Sequence, residues 1–432
     1  MYLQTDEQTI EDLRIFGKRD GSSIYDIYNH SHTRGGEALL EEMFRAPLSD
    51  RQAINQRSNI IEHFSRLNLS FPYNATLFDM AEKYLMNSES NSRQQHHPQL
   101  SEKEIQNGVI AVINLIHLTK EFIEREEIKQ VPGYAPEREA IAALLADPAF
   151  EPAMKEQAKG GKLPYAAVTA YDALFRISEK HKVEMLLGHV YALDVYISVA
   201  RTANERQFIF PKAQNKTPCL LNAEGVYHPS LKAPVGNNIR MNGQQNVIFL
   251  TGANMAGKST FLRALSTALY MAHMGFPVAA KAMEFSVLDG IYTTVNLPDN
   301  LGIGASHFYA EVLRVKKMAA ELSTGKSYFI LFDELFRGTN VKDAQEATIA
   351  VTKGFAGKSN SLFLISSHIV EAGEALKQED SVGFLFLPTR MNGHVPEYTY
   401  TLEQGITDDR HGMIIIRNEG ILEILANGKK NK

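Results

Sequence analysis

A glycine-rich stretch at residues 252–260 has the residue types and the spacing of a phosphate-binding loop. It reads Gly252-Ala253-Asn254-Met255-Ala256-Gly257-Lys258-Ser259-Thr260 and fits the pattern G-x-x-x-x-G-K-S/T. In loops of this kind the backbone N–H groups converge on phosphate oxygens, and the lysine reaches the β- and γ-phosphates. We therefore predict that these residues bind a nucleoside triphosphate, with the Ser259 hydroxyl as a ligand of Mg²⁺.

The residues on both sides of the loop predict the strand and the helix that such a loop needs. Residues 246–251 form a short apolar run, which is typical of a buried parallel strand, and apolar residues recur at helical spacing after Lys258. The start of that helix adds the positive end of its dipole to the phosphate site. A glycine-rich turn that arose by chance is the alternative, and both flanks argue against it.

Two carboxylates, Asp333 and Glu334, follow a second apolar run at residues 328–332. An aspartate in this place holds Mg²⁺ in other phosphate-loop enzymes, so we predict that Asp333 holds the metal through water. A second carboxylate beside the metal suits a general base that orients a water molecule for attack on the γ-phosphate. The alternative for Glu334 is a helix N-terminal residue that the helix dipole favours.

His368 follows a third apolar run at residues 361–366. A histidine that leaves the carboxyl end of a strand lies in the crevice where α/β sheets bind ligands. We predict that His368 contacts the γ-phosphate, and the alternative is a histidine with a structural role only.

These motifs, taken in their order along the chain, resemble the motifs of the MutS family. The loop is similar to the family sequence T-G-P-N-M-G-G-K-S-T, and residues 333–340 (D-E-L-F-R-G-T-N) are similar to D-E-L-G-R-G-T-S. Residues 305–311 (A-S-H-F-Y-A-E) resemble the family's signature segment S-T-F-M-x-E, and residues 367–368 resemble its T-H. His228-Pro229 and residues 22–36 extend the likeness, which covers most of the chain.

The resemblance implies an α-helical core and lever domain at residues 1–205, followed by an α/β phosphate-loop (ABC-like) ATPase domain at residues 206–432. It also implies ATP as the nucleotide, bound with Mg²⁺. In the related ATPases a signature serine from a second subunit closes the γ-phosphate site, and the matching residue is Ser306. The resemblance thus implies a homodimer with composite ATP sites, in which Ser306 joins Glu334 and His368 as a catalytic residue. The alternative for Ser306 is a helix N-cap.

The chain departs from the family pattern at several positions. Ala253 and Ala256 replace the usual proline and glycine of the loop, and alanine still permits close approach of the backbone to a phosphate. Phe336 replaces a glycine. The family places an aromatic residue that stacks on adenine near Pro234 and Val235, so we expect one of these two to form the platform for the base.

Composition favours a cytoplasmic protein without a membrane segment. Cys219 is the only cysteine among 432 residues, so no internal disulfide can form and a reducing compartment is favoured. The N-terminus is polar. The apolar stretch at residues 109–118 is too short to span a bilayer, and the one at residues 186–200 is interrupted by polar residues.

The first half of the chain predicts long helices with apolar core faces. Residues 49–52 form a capping-box pattern that begins at Ser49, and Ser101 with Glu104 forms a second one. A third long helix is predicted from about residue 166 to about residue 201 by its apolar spacing. Apolar stripes of this kind predict core packing rather than a cofactor site.

Three functions fit these residues. The first is a MutS-like ATPase that couples ATP binding and hydrolysis to movement of helical lever arms, on branched or mismatched DNA in repair or recombination. The second is the same ATPase acting on a protein or ribonucleoprotein partner. The third is a phosphoryl-transfer kinase. A kinase needs an acceptor pocket rather than a water-activating glutamate, so Glu334, Ser306 and His368 argue against it.

Charge and domain content bear on the choice between the first two functions. Residues 1–205 hold 22 lysines and arginines against 30 aspartates and glutamates, a net charge of −8, and the remainder carries 23 against 20, a net charge of +3. DNA binding relies on basic residues that neutralise phosphates. The likeness begins close to the N-terminus, and only residues 131–165 lie where the family inserts a DNA-gripping clamp. We therefore expect neither the family's mismatch sensor nor its clamp.

Overall fold

The computed structural model describes residues 1–17, 23–86, 100–156, 163–253, 255–295, 307–392, 395–407 and 420–427. The chain divides into two compact units. The helical unit consists of Ile27–Arg45 and Gln56–Arg206. The α/β unit consists of Met1–Asp26, Ala46–Asn55 and Gln207–Lys432.

Helices and strands are numbered separately along the chain. The helices are α1 Glu7–Asp12, α2 Ile24–Tyr28, α3 Arg34–Arg45, α4 Arg51–Leu67, α5 Ala75–Met86, α6 Glu102–Glu124, α7 Glu126–Lys129, α8 Ala135–Leu145, α9 Glu151–Lys155, α10 Tyr165–Ala173, α11 Lys180–Arg206, α12 Lys258–His273, α13 His307–Leu322, α14 Val341–Ala356, α15 Val370–Leu376 and α16 Ile421–Asn427. The strands are β1 Lys212–Gln214, β2 Leu220–Val226, β3 Asn237–Asn242, β4 Val247–Gly252, β5 Ala282–Ser286, β6 Gly290–Thr294, β7 Tyr328–Phe332, β8 Leu362–Ser366, β9 Val382–Leu387, β10 Thr389–Asn392, β11 Val395–Tyr398 and β12 Glu403–Gln404.

One of the two predicted capping boxes is confirmed. The Ser101 hydroxyl accepts a hydrogen bond from the Glu104 N–H, and the Glu104 carboxylate accepts one from the Ser101 N–H, at the start of α6. The box predicted at Ser49 is wrong. The Ser49 hydroxyl instead donates to the Leu288 carbonyl oxygen (2.7 Å), and the adjacent Asp50 carboxylate accepts from the Ala53 N–H (2.8 Å) to cap α4.

The third predicted helix is interrupted. A π-helical turn at Leu174–Ser178 separates α10 from α11, so one continuous helix over residues 166–201 is wrong. Within this turn the Arg176 guanidinium reaches back to Asp172 with two hydrogen bonds of 2.6 Å. Apolar spacing does not reveal such an interruption: Ile177 continues the helical spacing, but it lies in the turn and is 73% exposed.

A buried carboxylate fixes the start of α3 in the helical unit. Asp194 of α11 accepts hydrogen bonds from the backbone N–H groups of His32 and Thr33 and from the Thr33 hydroxyl, at 2.8–3.1 Å. A side chain at Gly36 would lie 2.5 Å from the Asp194 carboxylate, so only glycine fits there. This packing accounts for Thr33 and Gly36 in the T-R-G-G sequence at residues 33–36.

Helix α11 is long and apolar enough to cross a membrane when length and composition alone are considered, and within the described ranges it is the one such helix. However, 61% of its apolar window is buried inside the structure. That degree of burial is expected of a helix in a protein core.

A six-stranded sheet forms the centre of the α/β unit, with the strand order β12-β9-β4-β8-β7-β6. Strands β9, β4, β8, β7 and β6 run parallel, and β12 pairs antiparallel with β9 at one edge. Strands β4, β7 and β8 are buried at every position, which explains why each is a continuous apolar run in the sequence. A second sheet has the order β1-β5-β2-β3.

The N-terminal segment belongs to the α/β unit because it hydrogen-bonds to β6. The Ile291 N–H donates to the Gln4 carbonyl oxygen (2.9 Å), and the Thr293 N–H donates to the Thr9 hydroxyl (3.0 Å). The Asp12 carboxylate accepts from the Thr293 hydroxyl (3.0 Å). The compact units therefore differ from the predicted division at residues 1–205 and 206–432, because two N-terminal segments pack with the α/β unit.

His273, the last residue of α12, joins three segments of the α/β core. Its Nδ1 donates to the Leu269 carbonyl oxygen (2.9 Å), and its Nε2 accepts from the Leu288 N–H (3.1 Å). Its own carbonyl oxygen accepts from the Leu48 N–H (2.9 Å). These bonds require a neutral imidazole with its proton on Nδ1. Full burial disfavours the charged form and lowers the pKa of His273 to about 4.

We expect His273→Gln to flatten the dependence of the unfolding free energy on pH. In the wild type, an unfolded histidine gains its proton near pH 6.5, whereas the folded one stays neutral down to about pH 4. Stability is therefore fully present above pH 6.5 and falls as the pH is lowered towards 4, by on the order of 3 kcal/mol. Urea unfolding followed by circular dichroism between pH 7.5 and 5 measures this slope.

The matched control for this prediction is His181→Gln, which changes an exposed histidine of α11. It should keep the pH dependence of the wild type. If His273→Gln also keeps it, the pKa of His273 is not depressed by burial.

Candidate functional site

The predicted phosphate loop connects β4 to α12, as its flanking residues predict. Met255 (φ 73°) and Gly257 (φ 101°) adopt left-handed backbone conformations, which turn the chain before α12. A side chain at Gly257 would also lie 3.0 Å from the Tyr400 ring, so glycine is required there on both counts. Ala256 is buried, and its N–H donates to the Ala253 carbonyl oxygen (3.2 Å), so alanine fits at that position.

Lys258, the first residue of α12, extends its side chain back to the carbonyl groups at the start of the loop. Its side chain is 5% exposed, and Nζ donates to the carbonyl oxygens of Gly252 (2.7 Å) and Ala253 (3.2 Å). Burial lowers the pKa of Lys258, while the carboxylates of Glu334 and Asp333 act in the opposite direction. Both hydrogen-bond acceptors are neutral carbonyls, so an anionic phosphate oxygen would be a stronger partner for this ammonium group.

A cavity of 640 Å³ opens beside the loop. Its size lies within the range of about 300–1,000 Å³ that is usual for small-molecule sites. Lys258, Ser259 and Thr260 line it together with Glu334. His228 also lines it, and burial together with the positive charge of a nearby arginine lowers the pKa of His228 to about 4, so its imidazole is neutral at pH 7.

The two predicted carboxylates follow β7 and are held by a serine at the end of β8. The Ser366 hydroxyl donates to Asp333 Oδ1 (2.5 Å) and accepts from the Glu334 N–H (3.0 Å). The Asp333 N–H donates to the Thr294 carbonyl oxygen of β6 (2.9 Å). Glu334 has a left-handed backbone (φ 56°), and its carboxylate lies 3.6 Å from the Arg337 guanidinium. Ser366 thus fixes the backbone that carries both acidic groups.

Ser259 and Asp333 are the residues predicted to hold Mg²⁺. Ser259 is exposed to the cavity, and Asp333 is half-buried, with Oδ1 engaged by Ser366. Across the described part of the chain, no group of three or more His, Cys, Asp or Glu side chains is arranged to hold a metal ion. Mg²⁺ usually takes one or two protein oxygens together with phosphate oxygens and water, so a hydroxyl and a carboxylate fit it.

The structure does not test the predicted roles of three further residues. His368 follows β8 at the same edge of the sheet, and its side chain is exposed, but it does not line the cavity. Its contact with a phosphate stays a prediction. Asn254 and Ser306 lie outside the described residues, so their predicted roles also stay predictions.

Tyr400 lines the cavity, although no sequence pattern points to it. Its backbone is left-handed (φ 55°), and the Asn237 side chain forms hydrogen bonds with the backbone at and after Tyr400. The Asn237 amide donates to the Tyr400 carbonyl oxygen (2.9 Å) and accepts from the Leu402 N–H (2.7 Å). Of the two residues expected to form a platform for the base, Val235 lines the cavity and Pro234 does not. Tyr227 and Phe261 also line the cavity, so Tyr400 is the lining aromatic residue that lies far from the motifs in the sequence.

Comparison with known proteins places both halves of the chain in one family. Residues 8–200 match the family model for MutS domain III, and residues 248–431 match the model for MutS domain V. The chain is 27% identical over 253 residues to the DNA mismatch repair protein MutS of Fusobacterium nucleatum subsp. nucleatum, an alignment that covers 57% of this chain and 28% of that relative. The helical and mixed α/β contents of the two units fit these two domains, and the chain belongs to the MutS family.

Proposed function

We propose that this chain is a Mg²⁺-dependent ATPase whose hydrolysis of ATP drives movement of its helical region. One observation carries the proposal. The buried ammonium group of Lys258 and the carboxylate of Glu334 line one cavity of 640 Å³, at the edge of a parallel sheet where Asp333 also lies. The match to MutS domain V over residues 248–431 supports a phosphate-loop, ABC-like fold for this region. We retain residues 1–205 and 206–432 as the proposed domains of the family pattern.

The residues of the cavity suit distinct steps of the reaction. Loop N–H groups of residues 252–260 would bind the phosphates, and Lys258 would exchange its carbonyl partners for the β- and γ-phosphates. Glu334 would take a proton from the attacking water, since its carboxylate lines the cavity. Mg²⁺, held by Ser259 and Asp333, would neutralise the charge that develops on the phosphates. His368 would contact the γ-phosphate from the next strand.

The base of the nucleotide would occupy the part of the cavity near Tyr400. Base–aromatic stacking is tolerant of base identity, because every base has a π-face. Val235 offers an apolar surface in the same cavity, and the neutral imidazole of His228 offers a hydrogen-bonding group. Adenine is the base that the family resemblance implies.

We expect Glu334→Gln to bind ATP normally and to hydrolyse it roughly 10²–10⁴-fold more slowly, since the amide keeps the shape of the side chain and removes the base. Binding of a fluorescent ATP analogue and release of phosphate measure the two steps separately. Lys258→Ala is the contrasting control. It should lose binding as well, because it removes the fixed cation at the phosphates. Near-normal turnover by Glu334→Gln, with normal binding, would remove Glu334 from the reaction.

We further propose a homodimer with composite ATP sites. The phosphate loop, Asp333 and His368 follow neighbouring parallel strands, so they approach a bound nucleotide from one side only. Closure of the opposite side needs a group from elsewhere, and the family resemblance assigns this to Ser306 of a second subunit. The start of a helix suits this role, since its N–H groups and dipole favour a phosphate.

A mixing experiment tests the composite site. Lys258→Ala inactivates the subunit that binds the phosphates, and Ser306→Arg inactivates the subunit that closes the site. A mixed dimer has one site in which both halves are intact, so random 1:1 exchange should restore about a quarter of the wild-type ATPase rate. Absence of recovery, with subunit exchange demonstrated by differently tagged chains, would exclude a site shared between subunits.

The substrate that the ATPase acts on is proposed as DNA. The relative from Fusobacterium nucleatum is named as a DNA mismatch repair protein, and this chain spans less than a third of its length. Charge favours the second candidate, a protein or ribonucleoprotein partner. The helical unit carries 23 aspartates and glutamates against 19 lysines and arginines, whereas a DNA-binding surface needs an excess of basic residues. We propose the cytoplasm as its compartment, since the only cysteine of the sequence, Cys219, is a free thiol and no internal disulfide can form.

Binding to branched and linear DNA at two salt concentrations separates the two candidates. If the substrate is DNA, we expect the chain with ATP to bind a labelled four-way junction more tightly than a linear duplex at about 50 mM salt. Affinity should then fall steeply at about 200 mM, because each neutralised phosphate releases counterions. Fluorescence anisotropy gives both affinities. If neither DNA binds at the lower salt concentration, the partner is a protein or a ribonucleoprotein.

A further inference from the structure

Phe336 occupies a backbone conformation that an aromatic side chain rarely adopts. Its φ is 62°, in the left-handed region that favours glycine, and it follows Glu334 (φ 56°) by two residues. Phe336 is nevertheless 3% exposed, so the whole ring is buried. A strained, buried residue next to a site residue persists only where its surroundings hold it in place.

The ring of Phe336 is held by the first turn of α13. It packs against Phe308 with the ring centroids 5.8 Å apart and the ring planes at 60°, a favourable tilted geometry for two aromatic rings. The same apolar cluster contains Leu335 and Met318 of α13. Phe336 therefore connects the loop that carries Glu334 to a helix that is distant in the sequence.

The other end of this loop is fixed by polar contacts. Ser366 holds the backbone N–H of Glu334 and the carboxylate of Asp333, at 3.0 and 2.5 Å. The Glu334 carboxylate lies 3.6 Å from the Arg337 guanidinium, its ion-pair partner in the described structure. The direction of the Glu334 side chain thus depends on its own backbone, which Ser366 holds at the Glu334 N–H and Phe336 holds two residues later.

Helix α13 is a firm support for Phe336 because buried polar contacts bind it to the sheet. Arg314 is 8% exposed, and it donates to the Thr294 hydroxyl (3.0 Å) and to the Thr293 carbonyl oxygen (2.7 Å) at the end of β6. It also forms an ion pair with Asp6 of the N-terminal segment. Movement of α13 would break these bonds in a buried place, where an unpaired charge is costly.

We propose that Phe336 is a positioning residue for ATP hydrolysis, which holds Glu334 in its working orientation by packing on Phe308. The proposal rests on the proposed role of Glu334 as the general base. Phe336 does not line the cavity, so it acts through the loop and not by contact with the nucleotide.

Substitution of Phe336 by alanine and by glycine separates positioning from stability. Both variants lose the ring contact, so we expect kcat to fall about tenfold to a hundredfold in each while the affinity for ATP is unchanged, because a small misplacement of a catalytic group has effects of this size. The glycine variant should melt at a higher temperature than the alanine variant, since glycine has no Cβ penalty at a φ of 62°. Phe336→Leu keeps an apolar side chain in the cluster and should retain most of kcat.

The proposal is overturned if kcat recovers in the glycine variant together with the melting temperature, because Phe336 would then act on stability alone. It is also overturned if both variants turn over ATP at the wild-type rate. Should the alanine and glycine variants fail to fold, Phe308→Ala removes the side chain on which Phe336 packs and should lower kcat with unchanged affinity for ATP.

A double-variant comparison shows whether the effect passes through Glu334. In single-turnover hydrolysis, Phe336→Ala should slow the wild type about tenfold or more but should have no further effect in Glu334→Gln, since the group that it positions is absent. An equal slowing in both backgrounds overturns the proposal and leaves Glu334 as the base. If Glu334→Gln itself hydrolyses ATP like the wild type, both the general-base role of Glu334 and the positioning role of Phe336 are excluded.

Discussion

The parallel register of the central sheet is the constraint on which the rest of the site depends. Leu250 of β4 pairs with Ser366 of β8, and Phe332 of β7 pairs with Ile365. With these pairings, the phosphate loop, the two carboxylates and His368 all leave the sheet at one edge, as parallel strands require. A slip of one residue would turn the core side chains of a strand to its opposite face. Because β4, β7 and β8 are buried at every position, such a slip would disrupt close-packed side chains on both faces, and this packing keeps the site residues aligned.

Polar groups at the ends of these strands form hydrogen bonds that fix the positions of the site residues. Ser366 is the last residue of β8, and its hydroxyl bridges the Asp333 carboxylate and the Glu334 N–H. Thr294, the last residue of β6, accepts from the Asp333 N–H with its carbonyl oxygen and from Arg314 with its hydroxyl. Because buried donors and acceptors are costly when unpaired, these bonds fix the loop after β7 between its two neighbouring strands.

Backbone strain in the α/β unit is concentrated around the cavity. Seven described non-glycine residues have a positive φ, and three of them, Met255, Glu334 and Tyr400, line the cavity, while Phe336 lies two residues from Glu334. Strained conformations need surroundings that hold them, and those surroundings are well-packed elements such as α13 and the buried strands. The site thus relies on the rigidity of the core for a geometry that its own loops would not adopt.

Local patterns in the sequence determined the elements that carry the chemistry. The spacing of Gly257, Lys258 and Ser259 predicted the phosphate loop, and the apolar runs before it and before Asp333 predicted strands that the structure confirms. These predictions succeed because the buried strands and the loop are each specified by residues that are adjacent in the chain. The family resemblance drawn from the same motifs is confirmed by the matches to MutS domains III and V.

Contacts between distant residues were decided by the tertiary structure alone. The sequence contained Ser366, Tyr400 and Asn237 without any pattern that linked them to the cavity, and it gave no sign that Phe336 packs on Phe308. For the same reason the bonds of Asp12 to β6, which bring the N-terminal segment into the α/β unit, were not foreseen. Hydrophobic periodicity and motif spacing depend only on residues that are close in the sequence. The partner of a hydroxyl, an amide or an aromatic ring is instead set by how the sheet and the helices pack.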